Sequence, residues 1–97
     1  MGVAVKKKDP LGPKERVILS LMGPTPKEWI TGLRLVEWSK SLPRGSHLDS
    51  CMIYMLLLRL EKRGFIRSRY LHDEGLAGGR RKEYQITDSG SDVLREV

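Results

Sequence analysis

A single cysteine, Cys51, excludes an internal disulfide, and without a Cys-x-x-Cys pair the chain has no structural zinc motif. Aromatic residues are few: two Trp, three Tyr and one Phe. The longest apolar stretch, Met52 to Leu58, falls far short of the roughly 20 residues that cross a bilayer, and no apolar h-region follows the N-terminal lysines. A soluble cytosolic protein with no membrane association is therefore expected. Acidic residues are outnumbered, 12 against 18 Lys and Arg, and the formal charge of +6 favours an anionic partner such as a nucleic-acid backbone. Charge alone does not separate DNA from RNA or from an acidic membrane. At 97 residues there is room for one small core but not for a catalytic cleft between two lobes.

Punctuation by Pro and Gly divides what is present. Residues 1–12 carry Lys6, Lys7 and Lys8 with too few apolar groups to offset the entropy of ordering, which predicts a flexible basic arm, either tracking a groove or solubilising the chain. The folded domain then covers 13–97. A first helix starts near Pro13, buries Val17, Ile18, Leu21 and Met22, and ends at Gly23-Pro24. Thr25-Pro26-Lys27-Glu28 has the pattern of a capping box and predicts a second helix from there to about Ser39 or Lys40. On that helix Trp29, Leu33 and Val36 share one side, while Leu35 and Trp38 lie roughly opposite. That second apolar side has two readings: a fraying end with Trp38 folded under the loop, or a dimer or partner surface.

The segment Leu42-Pro-Arg-Gly-Ser-His47 is a loop; it is similar to a protease-cleavage linker but is read as native, with patterned helix on both sides. A third helix follows, capped by Ser46 or Asp49, buried along Ile53, Leu56, Leu57 and Leu60, and stopped by Gly64 after Lys62-Arg63. Phe65 to Leu71 and Lys82 to Ile86 alternate as two strands, Tyr84 and Ile86 sharing a face, around a long glycine-rich tip from Asp73 to Arg81. Thr87 caps a last short helix carrying Val93 and Leu94. The expected class is mainly α with a small β-hairpin (α+β), in the order α-α-α-β-β-α.

No catalytic constellation is present. His47 and Cys51 lie four apart with Asp49 nearby, but no third ligand has the spacing of a zinc motif. His72-Asp73 has no nucleophile to activate, and Gly75 to Lys82 lacks the Gly-x-x-x-x-Gly-Lys-Ser/Thr pattern that cradles phosphate. No cofactor and no enzymatic activity are expected.

Three stretches are specific in combination: a helix ending Leu21-x-Gly23-Pro24; the run Tyr54-x-x-Leu57-x-x-Leu60-Glu-Lys-Arg-Gly-Phe-Ile66; and, after a basic hairpin, Tyr84-x-Ile86-Thr-x-x-Gly90. Over about residues 15 to 95 the chain resembles the PadR-like family of bacterial winged helix-turn-helix transcription regulators. The resemblance implies a repressor-like protein that binds double-stranded DNA, with its third helix in the major groove and its hairpin wing against the backbone or minor groove. It also implies a two-fold dimer on a pseudo-palindromic site. Family members usually continue into a longer C-terminal helix that makes the dimer; here dimerisation through other surfaces, or a monomer, remains open.

If the third helix enters a groove, Ser50 and Tyr54 are placed to donate to phosphate or base edges, with Arg59 and Lys62 further along. On the wing, Arg67, Arg69, Arg80, Arg81 and Lys82 are the candidate phosphate ligands, arginine because its fork matches phosphate oxygens bidentately. For each the competing reading is a solvated charged surface, and for Tyr54 a ring bracing the helix. Met55 and Leu58 are apolar where a reading helix is ordinarily polar; with Leu35 and Trp38 they make a candidate interface for a partner or second copy. A third function class is a regulator whose tryptophans line a dimer cleft for a small, flat, apolar effector.

Overall fold

The computed structural model describes residues 11–72 and 80–95. Four helices, α1 (Pro13–Met22), α2 (Gly32–Ser39), α3 (Ile53–Lys62) and α4 (Asp88–Arg95), combine with strands β1 (Ile30–Thr31), β2 (Ile66–His72) and β3 (Arg80–Ile86). The sheet is antiparallel in the order β1-β3-β2. This is the α+β class read from the sequence, with one strand more than expected.

Helix α1 begins as its sequence dictates. Pro13 occupies the first turn, and the Glu15 carboxylate reaches back to accept from the Gly12 N–H at 2.9 Å. Ile18, Leu19 and Met22 are buried, and Val17 and Leu21 pack at the margin. Leu11 is also buried and belongs to the folded part; residues 1–10 of the arm expected over 1–12 lie outside those described.

The second helix differs from the expectation. Residues 25–28 form turns, Ile30 and Thr31 pair with Tyr84 and Glu83 of β3, and the helix starts only after Thr31, whose hydroxyl accepts from the Arg34 N–H at 3.2 Å. The buried face of α2 is Gly32, Leu35, Val36 and Ser39, an i, i+3, i+4, i+7 set. Leu35 is fully buried and belongs to the core, which removes it from the candidate interface; Leu33, expected inside, is exposed. Ser39 is accommodated there because its hydroxyl donates to the Val36 carbonyl at 2.7 Å and accepts from the Leu48 N–H at 2.8 Å.

Between α2 and α3 the chain makes a 3₁₀ turn at Arg44–Ser46. It is tied down by Lys14 Nζ donating to the His47 carbonyl at 2.5 Å and by the His47 ring against the Leu42 carbonyl at 2.8 Å. The segment is therefore part of the fold. The core is the space enclosed by α1, α2, α3 and the inner face of the sheet, where Ile30, Ile66, Tyr84 and Ile86 meet the inner stripe of α3.

Candidate nucleic-acid interface

Helix α3 is positioned at both ends. Asp49 makes the turn that leads into it: its carboxylate accepts from the Cys51 N–H at 2.8 Å and its carbonyl from the Met52 and Ile53 N–H groups. Neither predicted cap, Ser46 nor Asp49, is the N-cap: the helix starts after Met52 with no side-chain cap, and Asp49 shapes the turn before it. At the far end Gly64 takes φ +83°, and the Gly64 and Phe65 N–H groups return to the Glu61 and Leu60 carbonyls, a Schellman closure. Ile53, Leu56, Leu57 and Leu60 are buried as expected.

The closing turn carries the Thr87-to-Gly90 signature. Thr87 Oγ1 donates to the Gly64 carbonyl at 2.6 Å and accepts from the Gly90 N–H at 3.2 Å, while the Thr87 N–H donates to the Phe65 carbonyl at 3.0 Å. A Cβ at position 90 would stand 2.2 Å from the Phe65 oxygen, so only glycine fits without displacing this backbone. The Gly64 turn and the start of α4 are thus one unit, and they set the direction in which the wing leaves α3.

On the outward side of α3, Ser50 and Cys51 are exposed in the preceding turn, and Tyr54, Met55, Leu58, Arg59 and Lys62 are exposed along the helix. Tyr54 also braces the fold: a Cβ on Gly32 would lie 2.9 Å from its ring, so the ring covers the start of α2. Arg59 leans toward α1, with Nη1 4.0 Å from Glu15 Oε2, and Arg63 stands 3.2 Å from the same carboxylate. Glu61 faces the wing, accepting from Ser68 Oγ at 2.6 Å with Lys82 Nζ at 3.9 Å. Lys82 also lies over the Tyr70 and Tyr84 rings, at 5.4 and 5.5 Å. Burial first, then the Glu61 carboxylate, push the Tyr84 hydroxyl up to about 12.

Strand alternation divides the predicted wing cations between two faces. Ser68, Tyr70 and Lys82 face the α3 side, whereas Arg67, Arg69 and Arg81 lie on the outer face. There Arg67 Nε donates to Gln85 Oε1 at 2.7 Å, and Arg69 donates twice to Glu83 Oε1, at 3.0 and 3.2 Å. Arg81 Nε is 3.8 Å from Glu83 Oε2. Trp29, expected on a helix, lies under the Arg69 and Arg67 guanidinium groups at 4.3 and 5.5 Å. Gln85 completes the group by donating to the Lys27 carbonyl at 2.7 Å. Arg80 pairs with His72 in the strand register, so Arg80 and Arg81 belong to β3 and not to the tip; residues 73–79 lie outside those described.

Glu61, Glu83 and Gln85 are not singled out by the sequence, and Trp29 is read there as a helix residue or part of an effector cleft, not as a ring under the wing arginines. Period-two counting already puts Arg67 and Arg69 on one face, but which carboxylate faces them is set by strand register. Trp38 is partly exposed, with the Arg34 guanidinium 5.9 Å from its ring, so the two tryptophans engage different arginines. Among the described residues no group of His, Cys, Asp or Glu could hold a metal ion, and no helix is long and apolar enough to cross a membrane.

Comparison with known proteins gives the family. The model of the transcriptional regulator PadR-like family matches residues 18–96. A PadR family transcription regulator from Clostridium difficile R20291 is 28% identical with a TM-score of 0.69, over 86% of this chain and 80% of that one. Bacillus subtilis PadR, solved in complex with operator DNA, is 26% identical with a TM-score of 0.71 over 84% of this chain; the match spans 44% of that protein. A PadR-like transcriptional regulator from Bacillus cereus is 29% identical with a TM-score of 0.62, covering 84% of this chain and 74% of that one. Curated proteins yield no match. With the family model matching most of its length, and with helix α3, the Gly64 turn and the Thr87-to-Gly90 closure in place, the chain belongs to the PadR-like family of transcriptional regulators.

Proposed function

We propose that this chain is a sequence-specific regulator that binds double-stranded DNA and acts as a repressor, with α3 in the major groove and the wing against phosphate. The observation that carries this reading is the likeness to Bacillus subtilis PadR, a structure solved with operator DNA, in a chain whose own wing is basic. Tyr54 and Lys62 are the groups of α3 available to a groove. Arg67, Arg69 and Arg81 hold their forks at the outer face of the sheet, where the Trp29 ring and Glu83 limit their rotamers before any ligand arrives. Preordering of that kind lowers the entropy cost of each phosphate contact. Glu83 offsets part of the charge, so the outer face positions the protein on the backbone and does not specify sequence.

Titration of the full chain onto a random duplex and onto the DNA upstream of its own gene, at two salt concentrations, tests this reading. Tighter binding to the upstream DNA that weakens steeply with salt is expected. An Arg80→Ala/Arg81→Ala variant should lose affinity for both duplexes and flatten the slope of log K against log salt by roughly one to two. No binding to either duplex at low salt contradicts it. A second reading, an assembly module docking through Trp38, Met55 and Leu58, has their exposure in its favour; association through them would hardly change with salt.

A further inference from the structure

The outward ridge of α3 holds little of the chemistry that ordinarily reads bases. Met55 and Leu58, 58% and 50% exposed, are neighbours three apart on α3, and Met52, 46% exposed, stands at the helix start one turn before Met55. A reading helix that recognised guanine or adenine by paired hydrogen bonds would carry Arg, Lys, Asn or Gln on that ridge. Here Arg59 leans to Glu15 at one side of it and Lys62 stands in the last turn. The core does not need these three side chains, because Ile53, Leu56, Leu57 and Leu60 already close it. Along the base edges of the major groove, the apolar feature is the C5 methyl of thymine.

We propose that this protein reads its DNA through thymine methyl groups, with Met55 and Leu58 as the specificity-determining residues and Met52 extending the contact. The inference rests on the DNA-binding reading above and deepens it. From Met55 to Leu58 the helix rises roughly 4.5 Å, enough to reach methyls on adjacent base-pair steps about 3.4 Å apart. The preferred half-site therefore holds a short run of A·T pairs whose methyls fall along that ridge. Charge selects DNA over an apolar protein surface as the occupant: Arg59 and Lys62 border the strip on α3, Lys82 faces α3 from the wing, and the chain carries +6 overall. The unbranched thioether of Met55 adapts to small differences in methyl position, while the branched Leu58 fixes one of them.

The test uses the full chain and the tightest duplex selected from a random library. That duplex is compared with one in which the half-site thymines are replaced by uracil, which keeps every base-edge hydrogen-bonding group and removes only the methyl. The expected result is a loss of about fourfold in affinity per contacted methyl, and a Met55→Ala/Leu58→Ala variant that binds both duplexes alike. Both substitutions are on the surface, and a thermal melt confirms that the variant is folded. Sequence-selective binding that ignores the uracil exchange overturns this inference and leaves the DNA reading standing. Failure to bind any duplex overturns both. A salt-insensitive self-association that Met55→Ala/Leu58→Ala dissolves assigns the strip to a second copy, and also overturns the inference.

Discussion

The two sides of α3 are specified in different ways. Its inner side and carboxyl end are fixed by contacts within the chain: the buried stripe Ile53, Leu56, Leu57 and Leu60, the Gly64 closure, and the Thr87 hydroxyl bridging Gly64 to Gly90. Its outer side, from Met52 to Lys62, is held by few such contacts, Tyr54 over Gly32 and Glu61 to the wing being the main ones. The inner side thus answers to the fold, whereas the outer side is free to answer to a ligand. Substitutions should sort accordingly, the inner ones acting on stability and the outer ones on binding.

The largest effect should come from hollowing the inner stripe. Leu57→Ala removes a fully buried side chain and should cost about 3 kcal/mol by urea denaturation. Gly90→Ala comes next: its methyl would meet the Phe65 carbonyl oxygen at 2.2 Å and Ile86 Cγ1 at 2.7 Å, with an expected loss of about 2 kcal/mol. A Gly90→Ala protein as stable as the parent would show that the closing turn is not the rigid unit described. Smaller is Glu15→Gln. The carboxylate is buried but its partners Arg63 and Arg59 are solvated, so about 1 kcal/mol is expected after screening. The smallest change should follow Met55→Ala or Leu58→Ala, within about 0.5 kcal/mol; a larger loss would mean that the outer side belongs to the fold after all.

Tyr84 gives the comparison a pH signature. Its hydroxyl ionises at pH 10.0 in the unfolded chain and near 12 in the fold. Between those values the unfolded state has lost a proton that the native state keeps, so this contribution to stability is complete below pH 10 and falls as pH rises toward 12. A tyrosinate absorbance step near pH 12 that Tyr84→Phe abolishes is the expected observation.

What the sequence disclosed follows the same division. Helices α1 and α3, the strand pair and the Thr87 cap were legible because their signals are local: Pro13 at a first turn, a four-residue apolar stripe, period-two alternation, and glycine where φ turns positive. The stretch from Thr25 to Thr31 was misread because its capping-box pattern is local too, whereas the outcome is decided by Ile30 pairing with Tyr84 far along the chain. Once Trp29 is taken off the helix, the buried face of α2 becomes Gly32, Leu35, Val36 and Ser39. Two of those four are small, so a search for apolar spacing passes over them. The division of the wing arginines between faces was readable by counting, but their pairing with Glu83, Gln85 and Trp29 depends on register and on β1.

The most direct test of the central claim is a titration of the upstream duplex into ¹⁵N-labelled protein, followed by amide shifts. Changes concentrated from Ser50 to Lys62 and in β2 and β3 are expected, with the buried parts of α1 and α4 little moved. Changes centred on α1 and Trp38, with α3 and the wing silent, would contradict that claim.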